Sequence, residues 1–251
     1  MHYPDSSFPV PLIRLVETDS TSRSLTSLCK QSRIEEFTVV LSDFQTAGRG
    51  QQDNTWEAEK GKNLLFSFVL YPSFLEARNQ FLLSQIIALS VKEELDEWAS
   101  GFSVKWPNDI YWENRKVCGI LIENDLLGSR IERSIAGIGL NINQKEFHSP
   151  APNPVSLTQI TGNAHDLLSI LGRLMERCIR YYELLRQGEK DTITERYRQS
   201  LFWKEGLHPY ADKNGTFTAR VIRVNPGGAL ILEDESGRER EYAFKEVKHI
   251  I

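Results

Sequence analysis

A polar run between two apolar segments holds groups suited to binding an anion together with a flat ring. The run extends from Gln45 to Trp56, and the apolar segments on both sides are typical of buried strands. Gly48 and Gly50 let backbone N–H groups approach a ligand closely, and Arg49 stands between them in the sequence. These residues predict either a nucleotide-binding loop or an ordinary loop between two strands.

The run matches neither of the two common phosphate-binding motifs. A Walker loop needs Gly-Lys-Ser/Thr after its first glycine, and a dinucleotide fingerprint needs a third glycine followed by a helix. Here Gly48-Arg49-Gly50 is followed by Gln51-Gln52-Asp53 and then by a segment typical of a strand. A nucleotide bound by this loop would therefore be held on a different fold.

A second group of polar residues precedes the first predicted helix. Asp19-Ser20-Thr21-Ser22 stands before Leu25 and Leu28, which have helical spacing. A hydroxyl of Ser20 or Thr21 is expected to cap the helix by accepting from an unpaired N–H of the first turn. The same helix start offers N–H and hydroxyl groups to a polar or anionic ligand. Both interpretations stay open on these residues alone.

Lys116 begins the returning strand of a predicted hairpin that follows the turn Pro107-Asn108-Asp109. A lysine in this position is either a charge that protects a sheet edge or a cation that faces a cleft. Gly119 lies within the same strand, and Gly137 and Gly139 lie within the next. Glycines inside strands predict the close approach of a ligand or of another part of the backbone.

The composition limits the class of protein. The 251 residues carry a formal net charge of -4, which argues against a nucleic-acid-binding surface. No signal-peptide pattern is present, and no apolar run approaches the ~20 residues that span a bilayer. Scattered cysteines (Cys29, Cys118 and Cys178) and dispersed histidines argue for reduced thiols and against a zinc site. We therefore expect a cytoplasmic protein without a nucleic-acid or membrane partner.

Three helices are predicted from apolar residues at helical spacing: Asn79 to Trp98, His165 to Arg186 and Thr192 to Trp203. The first has a broad apolar face for the core, and its charged residues, Glu94 among them, are expected on the opposite face.

The sequence changes in character after Gly206. Short segments typical of strands then alternate with tight turns, which predicts a small β-barrel. We place a domain boundary near Glu205, which gives a larger domain of residues 1–204 and a smaller one of residues 205–251.

Four segments, taken in order, make the chain resemble the biotin protein ligases, also called biotin–acetyl-CoA-carboxylase ligases. The segments are Asp19-Ser20-Thr21, Gln45 to Trp56, Lys105-Trp106-Pro107-Asn108-Asp109 with Lys116 and Gly119, and Gly137-Ile138-Gly139-Leu140-Asn141. The ordered set is specific, whereas each segment alone is not. The resemblance covers most of the chain, and in the C-terminal part it extends to the general pattern only.

The resemblance implies an α+β fold: a mixed, largely antiparallel sheet with flanking helices, as in class II aminoacyl-tRNA synthetases and the biotin–lipoate ligase catalytic domain, plus a C-terminal SH3-like barrel. It also implies an enzyme with a two-step reaction. Biotin and ATP form biotinyl-5′-AMP and pyrophosphate, and the biotinyl group then passes to a lysine of a biotin carboxyl carrier protein. Mg²⁺ is expected to neutralise the pyrophosphate, with ligands that the sequence does not identify.

The site residues are carried over from the same resemblance. Arg49 and Lys116 are the expected catalytic residues, addressing the biotin carboxylate and the α-phosphate. Expected biotin-binding residues are Ser20, Thr21, Ser22, Gln45, Gly48, Arg49, Gly50, Gln51, Lys116, Gly119, Leu121 and Gly137. Expected ATP- or adenylate-binding residues are Arg49, Trp56, Asn108, Lys116 and Asn141, with Trp56 packed against adenine.

The chain departs from the family pattern in one place. Many members have arginines and a glycine after Gly-Arg-Gly, where this sequence has Gln51-Gln52-Asp53-Asn54. The loop has therefore lost positive charge that could hold pyrophosphate or the adenylate. Lys60 and Lys62 are candidates to compensate for it.

Some members of the family also carry an N-terminal DNA-binding domain. Here the ligase pattern begins within the first ~20 residues, too few for such a domain. We therefore expect the short form, without operator binding. The resemblance leaves a monomer and a homodimer equally open.

Two rival interpretations are a lipoate–protein ligase on a related fold and a non-catalytic module that binds biotin or a nucleotide. The Lys105–Asp109 segment together with Gly48-Arg49-Gly50 argues against the first, and only the missing loop charge favours the second.

Overall fold

A large mixed sheet forms the centre of the molecule. The computed structural model describes residues 8–50, 55–148 and 153–251. Among these, the sheet contains β1 (Leu12–Leu15), β2 (Val39–Ser42), β3 (Leu64–Leu70), β4 (Phe102–Lys105), β5 (Asp109–Trp112), β6 (Arg115–Leu127) and β7 (Arg130–Leu140). Their spatial order is β1-β2-β3-β7-β6-β5-β4. Only β1 and β2 pair in parallel in this sheet, so hairpins and antiparallel returns build the rest.

Helices cover the sheet on both faces. They are α1 (Thr21–Gln31), α2 (Phe81–Asp96), the short α3 (Leu157–Thr161), α4 (Leu167–Arg186) and α5 (Lys190–Gln199), with a 3₁₀ turn at Ala77–Asn79. α1 packs on β2, β3 and β7, whereas α2 packs on β4 to β6 and is covered in turn by α4 and α5. The three predicted helices are confirmed, with ends that differ from the prediction by no more than four residues.

The period-two alternation of β2 explains the two layers. Val40 packs with Leu25 of α1, whereas Val39 and Leu41 on either side of it belong to the main core on the other face. Every residue of β3 is buried because both faces of the sheet are covered. Ser67 is the one hydroxyl in that strand, and it therefore needs partners inside the protein.

The expectation that Glu94 lies on an exposed helix face is wrong. Its side chain is fully buried, and its carboxylate accepts from the Nη2 of Arg173 at 2.8 Å and from the Nε of Arg177 at 3.2 Å. Both arginines belong to α4, which covers the face of α2 that looked free in the sequence. A buried carboxylate requires such partners, because burial of an unpaired charge is costly.

A second, antiparallel sheet follows in the C-terminal part of the chain. Residues 208–249 contain β8 (His208–Asp212), β9 (Gly215–Val224), β10 (Leu230–Asp234), β11 (Glu239–Tyr242) and β12 (Lys248–His249), in the spatial order β11-β10-β9-β8-β12. This arrangement fits an SH3-like domain and, with the larger sheet, confirms the α+β fold class. The exact boundary at Glu205 stays a prediction.

The two sheets are joined at the turn between β4 and β5. The Trp106 indole donates to the carbonyl of Gly228 at 2.9 Å. Gly228 has a φ of +95° and lies so close to Phe81 of α2 that a Cβ would come within 2.8 Å of that ring. The close approach and the positive φ both require glycine at this contact.

In residues 8–50, 55–148 and 153–251, none of the helices has the length and apolar character needed to cross a bilayer.

Candidate active site

A cleft of about 720 Å³ opens where the start of α1, the strands β6 and β7, the β4–β5 turn and the C-terminal segment meet. It brings together most of the residues predicted to bind ligand. Those that line it are Ser20, Thr21, Ser22, Gln45, Arg49, Gly50, Trp56, Asn108, Lys116, Gly119, Leu121 and Gly137. Their binding roles stay predictions, but their convergence from distant parts of the sequence is a structural fact.

One end of the cleft, which we call the neutral end, is built from Thr21, Ser22, Gln45 and Ser67. The Gln45 side-chain oxygen accepts from the backbone N–H of Thr21 at 2.8 Å and from its hydroxyl at 3.0 Å. The Ser67 hydroxyl lies 2.8 Å from that of Thr21 and 3.0 Å from that of Ser22. The result is an uncharged network of hydroxyl and amide groups that can both donate and accept.

Helix α1 is capped differently from the sequence prediction. Ser20 occupies the N-cap position, but its side chain makes no capping hydrogen bond. The Gln45 side chain, from the loop after β2, satisfies the first N–H of the helix instead. The Ser20 hydroxyl is therefore left to the cleft that it lines.

The strand glycines make room for this chain's own side chains. A Cβ on Gly137 would lie 2.5 Å from the Ser22 hydroxyl oxygen. Gly119 and Gly139 face each other across β6 and β7, and a Cβ would come within 2.9 Å of Trp56 Cζ3 at Gly119 and within 2.7 Å of Trp56 Nε1 at Gly139. The close approach predicted for these glycines therefore involves Ser22 and the Trp56 ring. Among the described residues, the buried indole nitrogen of Trp56 has no hydrogen-bond partner.

The opposite end, which we call the charged end, contains Arg49 and Lys116, each beside a carboxylate. Arg49 Nη2 lies 2.7 Å from Glu123 Oε2, and Lys116 Nζ lies 2.7 Å from Asp109 Oδ1. The Lys116 ammonium is also 5.6 Å from the centre of the Trp56 ring, which permits a cation–π contact. The sequence placed Asp109 in a turn and gave it no role in the site, so its pairing with Lys116 is information that only the fold supplies.

Lys105, which was expected only as part of a ligase segment, also lines the cleft at the charged end. It is the last residue of β4, and its Nζ lies 3.3 Å from the Tyr111 hydroxyl and 4.8 Å from the centre of that ring. Burial lowers the pKa of Lys105, although the nearby Asp109 carboxylate opposes that effect.

The C-terminal segment supplies a wall that sequence reasoning missed. Phe244, Lys245, Val247, Lys248 and His249 all line the cleft. Their only signal in the sequence was a short β-rich pattern, which says nothing about a ligand. The contact between the sheets could not be inferred from the sequence, because Trp106 and Gly228 are far apart in it and meet only in the fold.

His249 carries no charge at neutral pH. Its ring lies among the aromatic rings of Phe202, Trp203 and Tyr210. This burial, and to a smaller extent the positive charge of Lys105, lowers the pKa of His249 to about 3.

Two predicted residues lie outside the lining of the cleft, and a third is not described. Asn141 is buried and donates through its side chain to the carbonyl of Val155 at 3.2 Å, so it supports the segment next to β7. Gly48 lies behind the cleft, where its carbonyl accepts from the N–H of Trp56 at 3.0 Å and closes the loop. Gln51 falls outside the described residues. Lys60 and Lys62, the candidates for lost loop charge, do not line this cleft either.

Few of the described cleft residues could act as ligands to a metal ion. In the described part of the chain, no three His, Cys, Asp or Glu residues come together in a way that could hold one. Among the described residues that line the cleft, Asp109 is the one carboxylate. This set fits an ion held mainly by phosphate oxygens, as Mg²⁺ often is in nucleotide sites.

The family model for the biotin/lipoate A/B protein ligase family matches residues 15–141, just over half of the chain. The chain belongs to this family. The matched range runs from the end of β1 to the residue after β7, and so includes both the neutral end and the Arg49 and Lys116 pairs of the charged end. The C-terminal wall lies outside it.

Individual relatives extend the likeness over nearly the whole chain. The bifunctional ligase/repressor BirA of Bacillus subtilis is 28% identical over 242 residues, which cover 91% of this chain and 70% of that protein. The biotin–[acetyl-CoA-carboxylase] ligase of Paracoccus denitrificans is 28% identical over 237 residues, covering 90% of this chain and 95% of that protein. For the BirA of Bacillus spizizenii, the chain spans 65% of the relative's length.

A solved structure gives the same result for the fold. The biotin protein ligase of Aquifex aeolicus in complex with biotin and ATP matches with a TM-score of 0.79 and 28% identity, over 96% of this chain and 100% of that one. The likeness therefore includes the C-terminal sheet, which the family model leaves out.

Proposed function

We propose that this chain is an ATP-dependent biotin–protein ligase. It joins biotin and ATP into biotinyl-5′-AMP with release of pyrophosphate, and then transfers the biotinyl group to a lysine of a biotin carboxyl carrier protein. The observation that carries the proposal is a single cleft with an uncharged hydrogen-bonding end and a cationic end, formed in a chain of this family. Biotin is a carboxylic acid with a neutral, polar ring system. Its ring system therefore suits the uncharged end, and its carboxylate suits the cationic end.

The neutral end suits the ring system of biotin. Its cyclic urea has a carbonyl that accepts and two N–H groups that donate, and the hydroxyls of Ser22 and Thr21 and the amide of Gln45 can complement both. These groups are already held by one another and by Ser67, so little ordering is needed when the ligand binds. This arrangement supports Ser20, Thr21, Ser22, Gln45 and Gly137 as biotin-site residues.

The charged end suits the reacting groups. In the first step a biotin carboxylate oxygen bonds to the α-phosphorus of ATP, the bond from that phosphorus to the bridging oxygen breaks, and its electron pair leaves with pyrophosphate. Two anions meet in this step, so fixed positive charge lowers its barrier. Lys116 and Arg49 are placed to supply it, with Trp56 beside Lys116 as an aromatic surface for the adenylate.

The two ion pairs at the charged end reduce its net positive charge. Asp109 and Glu123 neutralise Lys116 and Arg49 in this structure. An incoming carboxylate or phosphate shares or replaces these partners, and the cations then serve the ligand. Mg²⁺ bound to the phosphates would neutralise pyrophosphate, and Asp109 is the cleft carboxylate that could contribute a ligand to it.

In the second step the amine of the acceptor lysine attacks the acyl carbonyl and AMP leaves. We propose the biotin carboxyl carrier protein of acetyl-CoA carboxylase or of a related carboxylase as the acceptor, which is supported by the name of the Paracoccus denitrificans relative. The three free cysteines agree with the cytoplasmic location expected from the sequence.

A lipoate–protein ligase is the second candidate, because the matched family includes lipoate ligases. The two activities use the same adenylate chemistry and differ in the ring that is recognised. A hydroxyl and amide network favours a urea over an apolar dithiolane ring, since polar groups left unpaired beside an apolar ring lose hydrogen bonds.

ATP–pyrophosphate exchange with biotin and with lipoate in parallel separates the candidates. We expect exchange that depends on biotin and is far slower with lipoate. Exchange with lipoate alone would establish the second candidate, and exchange with neither acid would reject adenylation and leave a binding module.

A further inference from the structure

Ser67 does not line the cleft, but it is bonded to two residues that do. Its side chain is fully buried in β3. Its hydroxyl oxygen lies 2.8 Å from that of Thr21 and 3.0 Å from that of Ser22. In the described part of the chain these two hydroxyls are its only side-chain partners. Any effect of Ser67 on a ligand must therefore pass through Thr21 or Ser22.

The direction of the hydrogen bonds in this network is set at Gln45. The backbone N–H of Thr21 can only donate, so the Gln45 atom 2.8 Å from it must be the amide oxygen. The same oxygen lies 3.0 Å from the Thr21 hydroxyl, and it carries no proton of its own. The Thr21 hydroxyl therefore donates to Gln45, which uses its single proton.

The other two bonds follow from counting protons, since each hydroxyl has one. Because the Thr21 proton is already used, the Ser67 proton must fill the contact between Ser67 and Thr21. Ser67 then has no proton left, so the Ser22 proton must fill the contact between Ser22 and Ser67. Any other assignment leaves two buried oxygens facing each other with no proton between them, which is costly.

This assignment leaves the Ser22 oxygen with only lone pairs for a ligand. Its proton is directed away from the cleft, toward the buried Ser67. The oxygen is open to a ligand because Gly137 beside it has no side chain, and a Cβ there would lie 2.5 Å from it. A serine hydroxyl ordinarily donates and accepts, but here Ser22 can only accept.

We propose that Ser67 is a positioning residue that makes Ser22 an obligate acceptor for one ureido N–H of biotin. The inference rests on the proposed function and identifies the feature of the ring that is selected. A ring with an N–H at this point completes the network. A ring with an oxygen there sets two acceptors against each other, and a dithiolane ring leaves the Ser22 lone pair unpaired.

Calorimetric titration of the full chain with biotin and two cyclic carbamate analogues tests the proposal. In each analogue a ring oxygen replaces one or the other ureido N–H. We expect wild-type protein to bind biotin at least about tenfold more tightly than one of the two, the analogue without the N–H at Ser22. Ser67→Ala releases the Ser22 proton, which can then turn to the ring oxygen. The ratio of the two affinities should therefore fall toward one.

Two controls separate this effect from a loosened fold. Ser90→Ala removes another fully buried serine hydroxyl, one that donates to the carbonyl of Ile86 within α2. This variant should keep the wild-type ratio. In Ser67→Ala the KM for biotin in ATP–pyrophosphate exchange should rise while kcat stays the same, because Ser67 touches none of the groups at the charged end.

Thr21→Val interrupts the same chain of bonds at its other end. Without the Thr21 oxygen, Ser67 can give its proton to Ser22, and the Ser22 proton becomes available to the ligand. The ratio of biotin to carbamate affinity should fall as it does in Ser67→Ala. Thr21→Ser keeps the hydroxyl and its proton, so it should keep the ratio.

Several outcomes would overturn the proposal. A ratio in Ser67→Ala or Thr21→Val equal to that of the wild type would show that neither residue orients Ser22. Equal losses for biotin and both carbamates would indicate a structural role alone. Wild-type protein that binds biotin and both carbamates equally would reject the inference but leave the proposed function intact. Wild-type protein that binds no biotin would reject the proposed function itself, so the two failures can be told apart.

Discussion

The two ends of the cleft hold their polar groups in different ways. At the neutral end, buried hydroxyls and one amide bond to each other, and no charge is involved. At the charged end, the ion pairs keep part of their surface in solvent, with Lys116 30% and Asp109 20% exposed. The neutral end is thus preorganised, whereas the cations of the charged end must exchange a carboxylate for the ligand.

This difference assigns separate tasks to the two ends. A preorganised network discriminates between rings, because a wrong ring leaves buried groups unpaired. A cation that must leave a carboxylate partner gains less binding free energy from an anionic ligand. It still places positive charge beside the groups that react in the transition state. Substitutions at the neutral end should therefore alter affinity for biotin, and substitutions at the charged end should alter the rate of adenylation.

The largest effect is expected at Lys116. Lys116→Ala should slow biotin-dependent ATP–pyrophosphate exchange by at least roughly 10²-fold, the scale of removing one transition-state donor. Biotin affinity measured without ATP should fall much less. Near-normal exchange in this variant would show that Lys116 has no catalytic role. It would also contradict the proposal that the charged end sets the rate of adenylation.

A smaller loss, in affinity instead of rate, is expected at Gly137. A Cβ there would lie 2.5 Å from the Ser22 hydroxyl, so Gly137→Ala should disturb the network and weaken biotin binding by about tenfold, the scale of one or two lost hydrogen bonds. Titration calorimetry with biotin measures the loss.

Ser22→Ala removes the atom that the new methyl group would meet. The double variant with Gly137→Ala should therefore bind biotin no worse than Ser22→Ala alone. If the two losses simply add, the contact between Gly137 and Ser22 is not what sets the affinity.

His249 gives a prediction for stability at the charged end. Its pKa is lowered to about 3 in the folded chain, whereas a free histidine titrates near pH ~6.5, so the unfolded chain takes up the proton first as the pH falls. This group's contribution to stability is therefore present above about pH 6.5 and is lost below it, by at most about 1.4 kcal/mol per pH unit.

Denaturant unfolding at pH 6.5 and pH 5 measures this contribution. The free energy of unfolding should fall more between these values in the wild type than in His249→Gln. Identical slopes for the two proteins would mean that His249 is not buried as the structure places it.

The smallest effect is expected at Glu123. Glu123→Gln frees Arg49 from its partner, and affinity for ATP should rise by about two- to threefold, in keeping with the small energies of partly exposed ion pairs. Glu132→Gln, which alters an exposed glutamate of β7 outside the cleft, is the matched control. A fall in affinity would show that Glu123 helps to position Arg49.

Much of this organisation could be predicted from the sequence, because local patterns determine it. Alternation and helical spacing identified the main helices and several of the strands, and the ordered segments from Ser20 to Gly137 identified most of the cleft. The capping of α1 by Gln45, the burial of Glu94 and the pairing of Asp109 with Lys116 could not be predicted. Each depends on two elements that are far apart in the sequence and meet only in the fold.

The C-terminal wall was missed for the same reason. Lys248 lies in a two-residue strand whose sequence has no motif, and its place in the cleft depends on the Trp106–Gly228 contact between the sheets. The strand glycines were recognised as sites of close approach, but the sequence could not show that Trp56 and Ser22 are what approach them.

The complete reaction on a carrier protein tests the central claim most directly. The chain is incubated with ATP, a purified biotin carboxyl carrier protein and either biotin or lipoate, and the carrier is examined by intact mass spectrometry and peptide mapping. We predict the addition of one biotinyl group to a single lysine, dependent on ATP, with no comparable addition of lipoyl. An unmodified carrier with biotin, or modification by lipoate instead, would contradict the account.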